Sequence, residues 1–168
     1  MNIQTPARTV KHALLGALMM TISTGIATTS MAGETTAQAT PATSPAFIVE
    51  QGGKTVMKKA YRAYSKGDLS KAAGYNTYAL QQGLRVKNMV TVHSNQCAIY
   101  GELGRYDDAI KACDKALKLA PNHYQAFSNR AAVNWLSGNQ TLAKQDIQAA
   151  KNLDTVAPQI AHNIKVFG

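Results

Sequence analysis

An all-α protein built from stacked helical hairpins is what the sequence predicts, and three observations predict it. A two-helix unit is legible in Gly101–Asn122. There Ala109, Ile110, Cys113, Ala116, Leu117 and Leu119 recur at helical spacing, Pro121 ends the run, and Gly104 separates it from an amphipathic run before it. Parts of that unit recur along the chain. The turn glycine returns as Gly67, Gly104 and Gly138. Small residues follow five positions later (Ala72, Ala109, Ala143) and seven further on (Ala79, Ala116, Ala150). Ala60, Cys97 and Ala131 stand seven before each glycine, and every series steps by 37 and then 34. Finally, a lone hairpin of this kind cannot bury its apolar stripe, so the copies must stack on one another.

Length and composition agree. In 168 residues there is room for one domain, and 45% apolar with 7% aromatic residues suits a helical core packed on Ala and Leu. Residues 1–32 are set aside as a signal peptide. Arg8 and Lys11 precede the apolar run Ala13–Met20, and Ser30-Met31-Ala32 offers small residues for cleavage after Ala32. A membrane anchor is the alternative, but Thr21, Ser23, Thr24, Gly25, Thr28 and Thr29 make the stretch too polar and its apolar part too short. The mature protein is then expected in the periplasm of a Gram-negative cell or in the secreted fraction. Residues 33–52 read as a flexible Thr/Ala/Pro-rich leader, with Phe47, Ile48 and Val49 available to dock on the first helix.

The helices follow in pairs. Val56–Lys66 and Ser70–Gln82 form the first, Val92–Leu103 and Asp107–Ala120 the second, with Asp107 where an N-cap acceptor is wanted. Tyr124–Ser137 and Gln140–Leu153 form the third. Pro158 can start a last helix with Ile160, Ile164 and Phe167 on one stripe.

Charge is uneven. The formal net charge is +9, and residues 53–89 carry eight basic residues against Asp68 alone. Lys54, Lys58, Lys59, Arg62 and Lys66 concentrate on the first helix, with Tyr61 and Tyr64 among them. Such a patch suits an acidic partner, and a plainly solvated face is the competing reading.

The repeat resembles the tetratricopeptide repeat. Copies span 53–89 with three extra residues, 90–123 and 124–157, followed by a capping helix at 158–168. The middle copy resembles the pattern best, through Tyr100, Ala109, Ala116 and Pro121. It departs with His93 for the usual Trp, Gln96 for Leu, Cys97 for Gly and Cys113 for a large aromatic. The third copy has Phe127, Ala131 and Ile147 at pattern places, but Arg130, Asn134 and Thr155 where Leu, Tyr and Pro are usual. The resemblance implies a right-handed superhelical solenoid whose first helices line a concave groove for an extended peptide or a partner's helix. On the matching positions, Lys54, Lys58, Tyr61, Tyr64, Asn95, Gln125, Asn129 and Trp135 would face that groove. Asn95 and Asn129, 34 apart, either fix a peptide backbone or make a structural bond. Trp135 is either an anchor or packing for the capping helix. Some relatives clamp a chaperone's terminal carboxylate with Lys and Asn from three helices. Met57, Tyr61, Gln125 and Asn129 stand at the other places of that clamp, so only Asn95 fits it.

Cys97 and Cys113 lie at nearly the same height of the middle hairpin, at places where the resembled pattern packs one helix on the other. An oxidising compartment favours a disulfide, with two buried thiols as the alternative. One Cys pair without further ligands at metal spacing excludes a zinc motif. His12, His93, His123 and His162 fall in separate elements, and no catalytic or phosphate-binding motif appears. No catalytic residue, metal or cofactor is therefore expected. The expected partner is a protein or peptide, acidic in character. An anionic envelope polymer or membrane surface is the alternative, and nucleic acid has no recognition signature here.

Overall fold

Three short motifs set the architecture, one at the turn of each hairpin. In the computed structural model, which describes residues 44–154 and 156–168, Gly67, Gly104 and Gly138 have φ of 75°, 72° and 86°. Each ends a helix in the left-handed conformation that glycine adopts without a Cβ penalty. The next residue's N–H then reaches back to the carbonyl five before it, as Asp68 to Ala63 (3.0 Å), Arg105 to Tyr100 (2.8 Å) and Asn139 to Asn134 (2.7 Å). This is the Schellman closure. The same three residues serve as N-caps of the following helices. A glycine every 34 to 37 residues thus reverses the chain within two positions.

The helices are α1 (Thr55–Ser65), α2 (Leu69–Gln81), α3 (Val86–Glu102), α4 (Tyr106–Leu119), α5 (Tyr124–Leu136), α6 (Gln140–Leu153) and α7 (Pro158–Phe167). The pairs α1–α2, α3–α4 and α5–α6 form hairpins, and α7 packs on α5 and α6. All-α stacked hairpins with a closing helix are therefore present as expected. No helix among the described residues is long and apolar enough to cross a membrane. The signal-peptide expectation lies outside the described residues.

The repeated small residues explain the pattern. Ala72, Ala79, Ala109, Ala116, Ala131, Ala143 and Ala150 are all fully buried. They sit where helices touch, and a larger side chain would push neighbours apart in a close-packed interior. Cys97 fills one such place and is bonded to Cys113 on the facing helix, both residues being fully buried. Of the two cysteine readings, the disulfide is the one the structure contains.

Two boundaries differ from expectation. α3 begins at Val86 rather than Val92, because the extra residues of the first copy add a turn to its start. That turn is solvent-facing, with Val86 56% exposed, so it shows no apolar stripe. Asp107 is not an N-cap. The Schellman turn hands the chain to α4 at Arg105, which places Asp107 and Asp108 in the first turn, where acids suit the helix dipole. Asp108 pairs with Arg105 at 2.6 Å.

Arg130 and Asn134, departures from the resembled pattern, join three helices. Arg130 donates from Nε and Nη2 to Asp146 on α6 (2.9 and 2.7 Å) and from Nη1 to Asp114 on α4 (2.7 Å). Asn134 adds a bond to Asp146 at 3.1 Å. The Asp146 hydrogen bonds raise the Arg130 pKa above the usual guanidinium range despite its burial.

From Ser44 on, the leader has a definite course. Residues 44–52 run extended along α7, α5 and α3 before entering α1 through Gly52 and Gly53. Phe47 packs against the buried cluster formed by Cys97, Ala109, Ala112, Cys113 and Val133, on the second and third hairpins rather than on the first helix. The reason is room: a Cβ at Gly101 would lie 2.7 Å from Phe47 Cζ and 2.9 Å from Val133 Cγ2. Glycine there opens a slot that the ring occupies.

Candidate peptide groove

α3, α5 and α7 each present an asparagine at equivalent heights: Asn95, Asn129 and Asn163, 34 residues apart and all buried. Each amide holds both backbone groups of one residue of the 44–52 segment. Ala46 N–H donates to Asn163 Oδ1 (2.7 Å), and Asn163 Nδ2 donates to the Ala46 carbonyl (2.9 Å). Asn129 makes the same pair with Ile48 (2.7 and 2.8 Å). Asn95 makes it with Glu50 (2.9 and 2.8 Å). The bound residues alternate because an extended chain turns every second residue to the same side. The segment runs opposite to the order of the repeats.

The asparagines are themselves braced. Asn129 Nδ2 also donates to the Ser94 carbonyl (3.2 Å) and to Ser94 Oγ (3.4 Å), and Asn163 Nδ2 donates to Ser128 Oγ (3.4 Å). Ser94 and Ser128 are 34 apart as well, so Asn129 and Asn163 are each oriented by the serine of the repeat before. In the first repeat the serine place is held by Met57 and the asparagine place by Lys58, 37 before Asn95. The ladder ends there.

Side chains add to the backbone contacts at both ends. His162 Nε2 lies 2.8 Å from the Ser44 carbonyl. Gln125 Nε2 donates to Glu50 Oε1 (3.0 Å), and His123 Nε2 lies 3.3 Å from Glu50 Oε2 without an aligned hydrogen bond. Because Ala126 N–H donates to His123 Nδ1 (3.2 Å), the proton of neutral His123 sits on Nε2, facing the carboxylate.

The structure thus brings Asn95, Asn129 and Gln125 together on one extended segment. Trp135 stacks on Phe167 with ring centroids 4.8 Å apart, so it packs α5 on the closing helix. Lys54 and Lys58 are exposed and Tyr61 is half-buried, and none of the three bonds the segment. Tyr64 donates to Glu102 at the end of α3. Burial first and that bond second push its pKa far up, and burial likewise raises Glu102. His93 is buried beside Gln96 (Nδ1 to Oε1, 3.2 Å), and burial lowers its pKa. Among the described residues no cluster of three or more His, Cys, Asp or Glu could hold a metal.

The basic residues divide. Lys59 and Arg62 of α1 and Lys66, the residue that caps its C-terminus, line a hollow of about 220 Å³ with Lys71 and Tyr75 of α2, while Lys54 and Lys58 lie outside it. Asp68 is the one acid on its wall, 4.0 Å from Lys71.

Asn163, His162 and His123 were not singled out by the sequence as groove residues. One further step of 34 from Asn129 reaches Asn163, so that signal was present.

Residues 90–123 match the tetratricopeptide repeat family. A protein of Dictyostelium discoideum described as a DnaJ homolog subfamily C member 7 homolog is 31% identical over 74 residues. The match takes in 44% of this chain and only 14% of that protein's length. Among solved structures, the first tetratricopeptide domain of human RPAP3 superposes with a TM-score of 0.61 at 17% identity, covering 67% of this chain and 86% of that one. The tetratricopeptide domain of Arabidopsis OM64 gives 0.60 at 20% identity, covering 67% and 90%. The second domain of human RPAP3, solved in complex with an HSP70 peptide, gives 0.59 at 18% identity, covering 67% and 92%. With three glycine-turned hairpins and a closing helix, the chain has the fold of these tetratricopeptide domains, and its middle hairpin, residues 90–123, carries a tetratricopeptide repeat.

Proposed function

We infer that the groove docks an extended peptide or protein segment and that the chain is a non-enzymatic interaction module. One observation carries this reading: three asparagines bind the N–H and C=O of alternate residues, a contact any extended segment can make whatever its side chains. Main-chain pairing supplies affinity in this mode, and pockets for alternate side chains supply selection. The HSP70 peptide bound by the second human RPAP3 domain supports it by analogy of fold. Gln125 and His123 at the Glu50 place, with the basic α1 beyond, favour an acidic partner. With residues 1–32 read as an export signal, that partner belongs to the periplasm or the secreted fraction.

Crosslinking and pull-down from the native envelope fraction tests this. In a chain whose own segment is weakened by Phe47→Ala and Glu50→Gln, adding Asn129→Ala should reduce capture of the main partner roughly tenfold or more, since two hydrogen bonds of about 1 kcal/mol each are lost. Equal capture by the chains with and without Asn129→Ala in that background, both helical by dichroism, would refute the groove as the docking site.

The hollow lined by Lys59, Arg62, Lys66 and Lys71 favours a second reading, an anionic envelope polymer or lipid surface held by the first repeat. That binding would fall steeply with salt and be indifferent to Asn129.

A further inference from the structure

Resting on the groove reading above, we propose that Ser44–Gly52 is a built-in ligand, and that the external ligand is an extended segment with an aromatic residue three places before a carboxylate. That segment must displace the built-in one to bind.

The built-in segment has the features of a bound peptide. Residues 45–50 are only partly buried, and their backbone bonds end on the side chains of Asn95, Asn129 and Asn163. An integral strand or helix would instead satisfy its backbone against other backbone. Gly53 at the junction with α1 has open space around its Cα, so the segment is tethered by a residue free to pivot.

Two features of the groove are selective. The Gly101 slot admits the Phe47 ring, and a Cβ at Gly101 would clash with that ring. At the far end Gln125 and His123 converge on both oxygens of Glu50. Aromatic and carboxylate are three residues apart because the slot lies between the Asn163 and Asn129 rungs, while the carboxylate sits on the Asn95 rung. The built-in segment turns away into α1 after Glu50. A free segment need not turn, and its continuation runs toward the exposed Lys58 at the vacant ladder place of α1.

Tethering gives the built-in segment a high effective concentration, so an outside peptide sees only the fraction of molecules with an open groove. Weakening the segment should therefore raise the affinity of a competitor. The probe is a fluorescein-labelled nonapeptide with the sequence of residues 44–52, followed by anisotropy on the full chain. The chain carrying Phe47→Ala and Glu50→Gln, which leaves the groove untouched, should bind the probe at least about tenfold more tightly than the unaltered chain. On that variant, a probe with the same two changes should bind at least about tenfold more weakly, and adding Asn129→Ala should weaken binding of the unchanged probe roughly tenfold or more. The proposal is overturned if the doubly changed chain stays helical yet gains no affinity, or if it loses helical dichroism, since Ser44–Gly52 is then a fixed part of the fold. In either case the groove reading stands if the unaltered chain still captures a partner through Asn129, and falls with the proposal if it does not.

Discussion

Asp146→Ala is expected to lower the stability of the fold by about 3 kcal/mol, the low end for breaking a buried ion pair by removing one member. The Asp146 side chain is 10% exposed and accepts from Arg130 twice and from Asn134 once. Its loss leaves a guanidinium, itself only 25% exposed, with the solvent-facing Asp114 as sole ionic partner. Asp114→Ala removes the exposed half of the same arrangement and should cost about 0.5 kcal/mol. In thermal denaturation the first variant should melt roughly 10 °C lower and the second within about 2 °C of the unaltered chain. Equal losses would mean that α5 and α6 are not joined through this pair.

Reduction of Cys97–Cys113 is expected to cost a similar amount. The bond spans a sequence separation of 16, and closing a loop of that size stabilises by about 3 kcal/mol on the chain-entropy model. The bond ties α3, which carries Asn95 and the Gly101 slot, to α4, so its loss should also loosen the groove. Melting with and without reductant measures the first effect, and titration with a thiol reagent under native and denaturing conditions checks the premise. Two thiols reacting in the unreduced, denatured chain would contradict it.

The hairpins were legible because their signals are local: a glycine that must adopt positive φ, and alanines that must be small, repeat at a fixed step. What escaped notice depends on chain segments far apart in sequence. Residues 44–52 read as leader because their order comes from backbone bonds to Asn95, Asn129 and Asn163, 45 to 117 residues away. No pattern within the segment encodes those bonds. Arg130 and Asn134 looked like flaws in the repeat, whereas Asp146 on the next helix makes them a network. Asn76 occupies the place filled by Cys113 and Ile147 in the later repeats. It is buried with no hydrogen-bond partner for its amide among the described residues.

The central claim is that three asparagines hold alternate residues of one extended segment, and residue-resolved amide hydrogen exchange by NMR tests it most directly. The account predicts slow exchange at Ala46, Ile48 and Glu50, whose N–H groups are bonded, and fast exchange at Phe47 and Val49 between them. Uniformly fast exchange across all five, at the rate of an unstructured chain, would contradict it.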